Sequence, residues 1–226
     1  GCVVSNNTIW PHALRVVLGR NWPGFSFSRK NKLLVLGSRR VESVSWPRLL
    51  THEIVPFLWD VWPDKIAPLI RFVRRNKIRT LFCTSSQVVE ILKSRLSEVD
   101  IHWIPEGIKV EAYPKGENLK NRPVDILSYG RQMTSVVDEL RDIVLTDKLN
   151  VLFREGDAHL FRTFDDLVNG LQSSKITICY PQSKTHPERA QNIETLTQRY
   201  WEAMLTGTLI VGAAPKELID VCGYNP

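Results

Sequence analysis

The sequence predicts an α/β protein built on parallel sheets, and three observations carry that expectation. Short β-branched runs alternate with amphipathic helical stretches from Leu33 onward, the pattern of strands joined by helical crossovers. The alternation breaks once, over Lys109–Pro123, and then restarts, as expected of two domains. The 226 residues are 43% hydrophobic and 24% charged, enough for one large core or two small ones and ordinary for a soluble chain.

Residues 1–31 are rich in Trp, Pro, Asn and Ser and carry no period that places an element. Leu33–Gly37 and Val55–Trp59 then read as short buried strands, the second ending at Asp60. A helix is expected over 66–76, with Pro68 tolerable only in its first turn. Ile78–Cys83 is the next strand, and Thr84-Ser85-Ser86-Gln87 offers capping-box chemistry for a helix running to about Glu98. Ile101–Ile104 closes this half. The segment 109–123 holds two prolines, a glycine and charges without period, and is expected to be a linker between domains 1–108 and 124–226. The second half continues with strands at 124–129, 150–153 and 176–180, helices at 135–145 and 164–171, and a polar loop over 181–192. It reads as the more complete Rossmann-like unit.

Several function classes are disfavoured by composition. No apolar run approaches the ~20 residues of a membrane span and no signal peptide is visible, so a soluble, cytoplasmic protein is expected. The four cysteines form no CxxC pair and read as reduced thiols. The histidines show no HxxxH spacing and no Asp-x-Asp occurs, so neither a metal nor another cofactor is expected. The net charge is +6, with a cluster at Arg71, Arg74, Arg75, Lys77 and Arg79. Ile66, Leu69, Ile70 and Val73 fall on the opposite helical face, which makes the cluster a solvated face first, a peripheral membrane contact second, and no nucleic-acid site.

Chemistry concentrates in Glu194–Gly212. Glu194 and Glu202, with seven residues between them, bracket what reads as a loop entering a helix; the helix stops at Gly207 and a β-branched run follows. A helix start presents unpaired N–H groups to anions, and carboxylates accept hydrogen bonds from sugar hydroxyls. A ligand carrying both phosphates and hydroxyls suits the arrangement, although each Glu taken singly reads more readily as a solvated or helix-end carboxylate.

Glu194, the seven-residue gap, and Glu202-Ala203-Met204 followed by Gly207-Thr208 resemble the E-x7-E segment of retaining GT-B glycosyltransferases. Pro215-Lys216-Glu217-Leu218-Ile219 and Gly223-Tyr224-Asn225-Pro226 resemble the text further along in that family, and His102–Ile108 the text that closes its first domain. The resemblance implies two Rossmann-like domains, with an N-terminal acceptor-side domain that is incomplete here and a C-terminal domain binding a nucleoside diphosphate sugar. It implies that Glu194 contacts the donor sugar, that Glu202 holds the ribose, and that Gly130-Arg131 meets the diphosphate. The family's Gly-Phe-Gly after the first Glu is Thr195-Leu196-Thr197 here, the loop residues the resemblance implies to meet the donor, and its lysine shortly after the Gly-Arg is absent from Gln132–Val137. Arg154 or Arg199 could supply that missing charge.

Arg131 also reads as a surface arginine capping a strand. Asp60, between Trp59 and Trp62, is a candidate acceptor-side carboxylate, or else a turn aspartate beside core tryptophans. The expected activity is metal-independent transfer of a glycosyl group, with retention, to a glycan, lipid or protein acceptor. The alternatives are a catalytically inactive nucleotide-sugar-binding module and a GT-B-shaped epimerase.

Overall fold

The computed structural model describes residues 31–37, 52–146, 149–154, 156 and 159–224. The opening stretch, with Cys2, lies outside the described residues. The chain divides into an N-terminal unit, Gly1–Pro105, and a C-terminal unit, Glu106–Pro226. Each carries a four-stranded sheet in which every pairing is parallel.

In the N-terminal unit the strands β1 (Asn31–Gly37), β2 (His52–Leu58), β3 (Thr80–Cys83) and β4 (Asp100–Trp103) lie side by side in chain order. Pro56, which has no N–H to donate, sits just before the first β2–β3 pair, Phe57 with Phe82. Helix α1 (Pro63–Arg75) opens with proline at its first position, where the missing donor costs nothing. Pro68 lies deeper in the helix than the first turn expected from sequence; the bond it cannot make is to Asp64, an exposed residue. Ile66, Leu69, Ile70, Phe72 and Val73 are buried, and each such side chain contributes roughly 1.5–3 kcal/mol. Arg71, Arg74, Arg75, Lys77 and Arg79 are all exposed. Helix α2 (Ser86–Lys93) starts from Ser85, whose Oγ accepts from the Val88 amide at 3.5 Å. Its third residue is Val88, so the reciprocal half of a capping box is missing, and the helix stops short of Glu98.

The C-terminal unit begins with two short 3₁₀ turns, Val110–Ala112 and Leu119–Asn121. Then follow β5 (Val124–Ser128), α3 (Thr134–Thr146), β6 (Val151–Phe153), α4 (Phe164–Gln172) and β7 (Ser174–Cys179). The loop expected over 181–192 contains two single-turn helices, α5 (Gln182–Thr185) and α6 (Pro187–Ala190). Helix α7 (Gln198–Thr206), β8 (Leu209–Gly212) and α8 (Lys216–Cys222) complete the unit. Gly207 ends α7 in the left-handed conformation, φ 71°, which spares the chain a Cβ clash as it turns into β8.

The segment 109–123, read from sequence as a linker, is folded onto the C-terminal unit. Arg122, 3% exposed, donates four hydrogen bonds of 2.8–3.1 Å, to the carbonyls of Glu117, Ser174 and Thr206 and to Thr208 Oγ1. The Gly116 amide bonds to the Thr206 carbonyl and Gln172 Nε2 to that of Pro114. One apolar cluster joins Tyr113, Leu127, Tyr129, Val168 and Leu171; a second joins Cys179, Leu196, Tyr200 and Leu218. Cys83 and Cys179 are buried, and burial pushes the Cys179 thiol up to about 11.

Candidate functional site

The strand order of the C-terminal sheet, β6-β5-β7-β8, fixes where its crevice lies. The chain steps from β5 to β6 on one side, then returns to place β7 on the other side of β5. Such a reversal leaves a gap at the carboxyl ends of the two strands, the usual ligand position in an open parallel sheet. Two loops leave from that gap. Tyr129-Gly130-Arg131 follows β5, with Gly130 at φ 74°, a conformation open to residues without a Cβ; Tyr180-Pro181 follows β7.

Arg199 spans the gap. It is the second residue of α7 and 8% exposed; its Nη1 donates to the Arg131 carbonyl at 3.1 Å and its Nη2 to the Tyr180 carbonyl at 3.2 Å. These bonds satisfy part of the guanidinium's fork of five donors. At the start of α7, Thr197 is the cap residue but provides no side-chain bond to the first turn, and its Oγ1 is buried without a partner among the described residues. The helix therefore begins without a side-chain cap from Thr197, next to the buried guanidinium of Arg199. Arg154, just after β6, gives its amide to the Ser128 carbonyl at 3.2 Å and has its Nε buried without a partner among the described residues. Gln132 Nε2 closes the end of β5 with bonds to Ser128 O and Oγ.

The three glutamates of this region occupy different surroundings. Glu194 is half-buried and accepts from Ser183 Oγ at 3.3 Å. Glu217, in the first turn of α8 and 1% exposed, accepts from the Leu196 amide at 2.7 Å. The side chain of Leu196 belongs to the core and Thr195 is buried beside it. Of the loop residues expected to meet the donor, Leu196 thus has its amide engaged by protein, while Thr197 retains an unpaired hydroxyl.

Glu202 is 6% exposed and grips two phenols, Tyr113 Oη donating to Oε1 at 2.9 Å and Tyr129 Oη to Oε2 at 2.6 Å. Burial, and then the charge of Glu202, raise the pKa of both tyrosines, so both hydroxyls remain donors across the working range of pH. The rings are set by edge contacts, Tyr113 on Phe164 at 5.3 Å and Tyr129 on Phe161 at 6.3 Å between centroids.

Sequence reasoning missed Tyr113, Tyr129, Arg122 and Glu217 as organising residues. Two of them had a signal: Tyr129 closes the expected strand 124–129 directly before Gly130-Arg131, and Glu217 lies in the Pro215–Ile219 text. Asp60 lies two residues beyond β2 in the N-terminal unit, half-buried and left-handed at φ 55°; the cap residue of α1 is Trp62, which is buried. Among the described residues no group of three or more His, Cys, Asp or Glu could hold a metal ion, and no helix is long and apolar enough to cross a membrane. The chain matches no protein-family model and no curated protein.

Proposed function

We propose that the C-terminal unit binds the donor of a retaining GT-B-type glycosyltransferase, a nucleoside diphosphate sugar. The observation that carries this reading is Arg199 lying across the gap between β5 and β7 beside the uncapped start of α7. A diphosphate there would meet the guanidinium, the first-turn amides and Arg131, groups that favour an anion and would stabilise the charge growing on a departing diphosphate. Arg199 then supplies the charge that the resembling family takes from the lysine absent here. Glu194, at the entrance to the same loop, orients the sugar hydroxyls, and Asp60 is the acceptor-side carboxylate.

The test is direct. Purified protein is titrated with nucleoside diphosphates by thermal shift, since a ligand of the folded state raises its melting temperature. Donor hydrolysis is then compared with that of Glu194→Ala. The expected result is binding of at least one nucleoside diphosphate, and release from its sugar conjugate that falls about a hundredfold in the variant. Binding without turnover in either protein would identify an inactive binding module. Absence of binding would remove the donor reading altogether.

A further inference from the structure

The geometry points to a role for Glu202 other than ribose binding: we propose that it is a positioning residue, which holds the diphosphate-binding turn through Tyr129 and the 106–116 segment through Tyr113. The inference rests on the donor reading above and changes what that site recognises.

A carboxylate that reads a ribose must turn both oxygens toward the two hydroxyls of the sugar. Each oxygen of Glu202 faces a phenol instead, at 2.9 and 2.6 Å, with the residue 6% exposed. Both tyrosines are buried, each with its ring against a phenylalanine, so a ribose arriving at Glu202 would have to strand two phenol hydroxyls away from water. The bonds also lie where they would matter for the turn. Arg199 and Glu202 are three residues apart on α7 and so share a face. From that face Arg199 bonds to the Arg131 carbonyl and Glu202 to Tyr129, so α7 takes hold of the Tyr129–Arg131 turn at both ends. Tyr113 ties the opposite oxygen to the segment that Gly116 and Arg122 fasten to Thr206 of α7 and to Thr208 just after it.

It follows that no carboxylate reads the ribose at this position, and the donor site tolerates loss of the 2′-hydroxyl. A site built to hydrogen-bond a hydroxyl rejects the analogue lacking it by orders of magnitude, which makes the difference measurable. ADP, GDP, UDP and CDP, their 2′-deoxy counterparts and inorganic pyrophosphate are titrated by calorimetry into the wild type, Glu202→Gln, Tyr113→Phe and Tyr129→Phe. The expected outcome is that the bound nucleotide and its 2′-deoxy form differ by less than about threefold in every protein, while Tyr129→Phe weakens pyrophosphate about tenfold. Each variant is first shown to melt cooperatively, and Tyr113→Phe, whose phenol does not hold the Tyr129–Arg131 turn, is expected to keep its pyrophosphate affinity within about threefold, which a general loosening of the unit would not spare. If Glu202→Gln does not fold, the two phenylalanine variants carry the same comparison.

Preference for the ribonucleotide by about tenfold or more, abolished in Glu202→Gln, would overturn the positioning role and leave the donor reading standing. So would unchanged pyrophosphate affinity in Tyr129→Phe. If the wild type binds no diphosphate of any kind, the donor reading falls and this role falls with it.

Discussion

Gln191 holds φ 49° and ψ −121°, a backbone conformation that a side chain makes costly, three residues before Glu194. Gln191→Gly is expected to relieve that strain and raise unfolding stability by about 1 kcal/mol, read as a shift of the urea midpoint at constant slope. Arg122 is the opposite case, since Arg122→Ala would take four hydrogen bonds from the unit, those to the carbonyls of Glu117, Ser174 and Thr206 and to Thr208 Oγ1. A loss of about 3 kcal/mol or more is expected by the same measurement. Asp125 supplies a pH dependence. The Lys175 ammonium at 2.6 Å and the Asn150 amide hold its carboxyl below the ordinary value of 3.8, so its contribution is present above that pH and is lost as the pH falls through the depressed folded value. Lys175→Met is expected to move the start of acid unfolding to higher pH, followed by far-UV circular dichroism. At this scale the sequence showed charge but not partners. Glu194 and Arg131 could be singled out from neighbours along the chain, whereas the phenols on Glu202 come from positions 89 and 73 residues away. A tyrosine beside a strand reads as core until its hydroxyl is seen to be occupied.

The helices and strands were legible wherever apolar period and boundary chemistry agreed. Helix α7 ends at the expected Gly207, because Gly207 can adopt the left-handed cap and the apolar run of β8 follows at once. The 109–123 segment was not legible, because its order comes from one buried arginine, one tyrosine and several amides rather than from a period. The loop before α7 was legible as a loop but not as a supported one. Its support is Glu217, whose carboxylate holds the Leu196 amide from a helix some twenty residues further on. Glu217→Gln is expected to speed hydrogen exchange at the Leu196 amide by about tenfold or more while amides in β5 and β7 stay protected, as seen by nuclear magnetic resonance.

On the scale of the whole chain, alternation of strands and helices was enough to predict two parallel sheets, since parallel strands require crossovers. Strand order was beyond it. Nothing in the local text says that β7 returns to the far side of β5, and the crevice depends on that return. Each unit has its own sheet, and the C-terminal one has two apolar clusters of its own. A chain of residues 106–226 is therefore expected to melt cooperatively by calorimetry, whereas one beginning at Val124, deprived of Tyr113 and Arg122, is expected to lose its sharp transition. The way Arg122 is seated has one more consequence. Its neighbours are oriented dipoles with no counter-charge among the described residues, and mobile ions dissolve attractions between opposite charges without competing for a guanidinium sealed among carbonyls. Brine would leave that fastening in place, and a protein whose first segment is locked in this way keeps its C-terminal half assembled in electrolyte that would loosen one stapled by surface ion pairs.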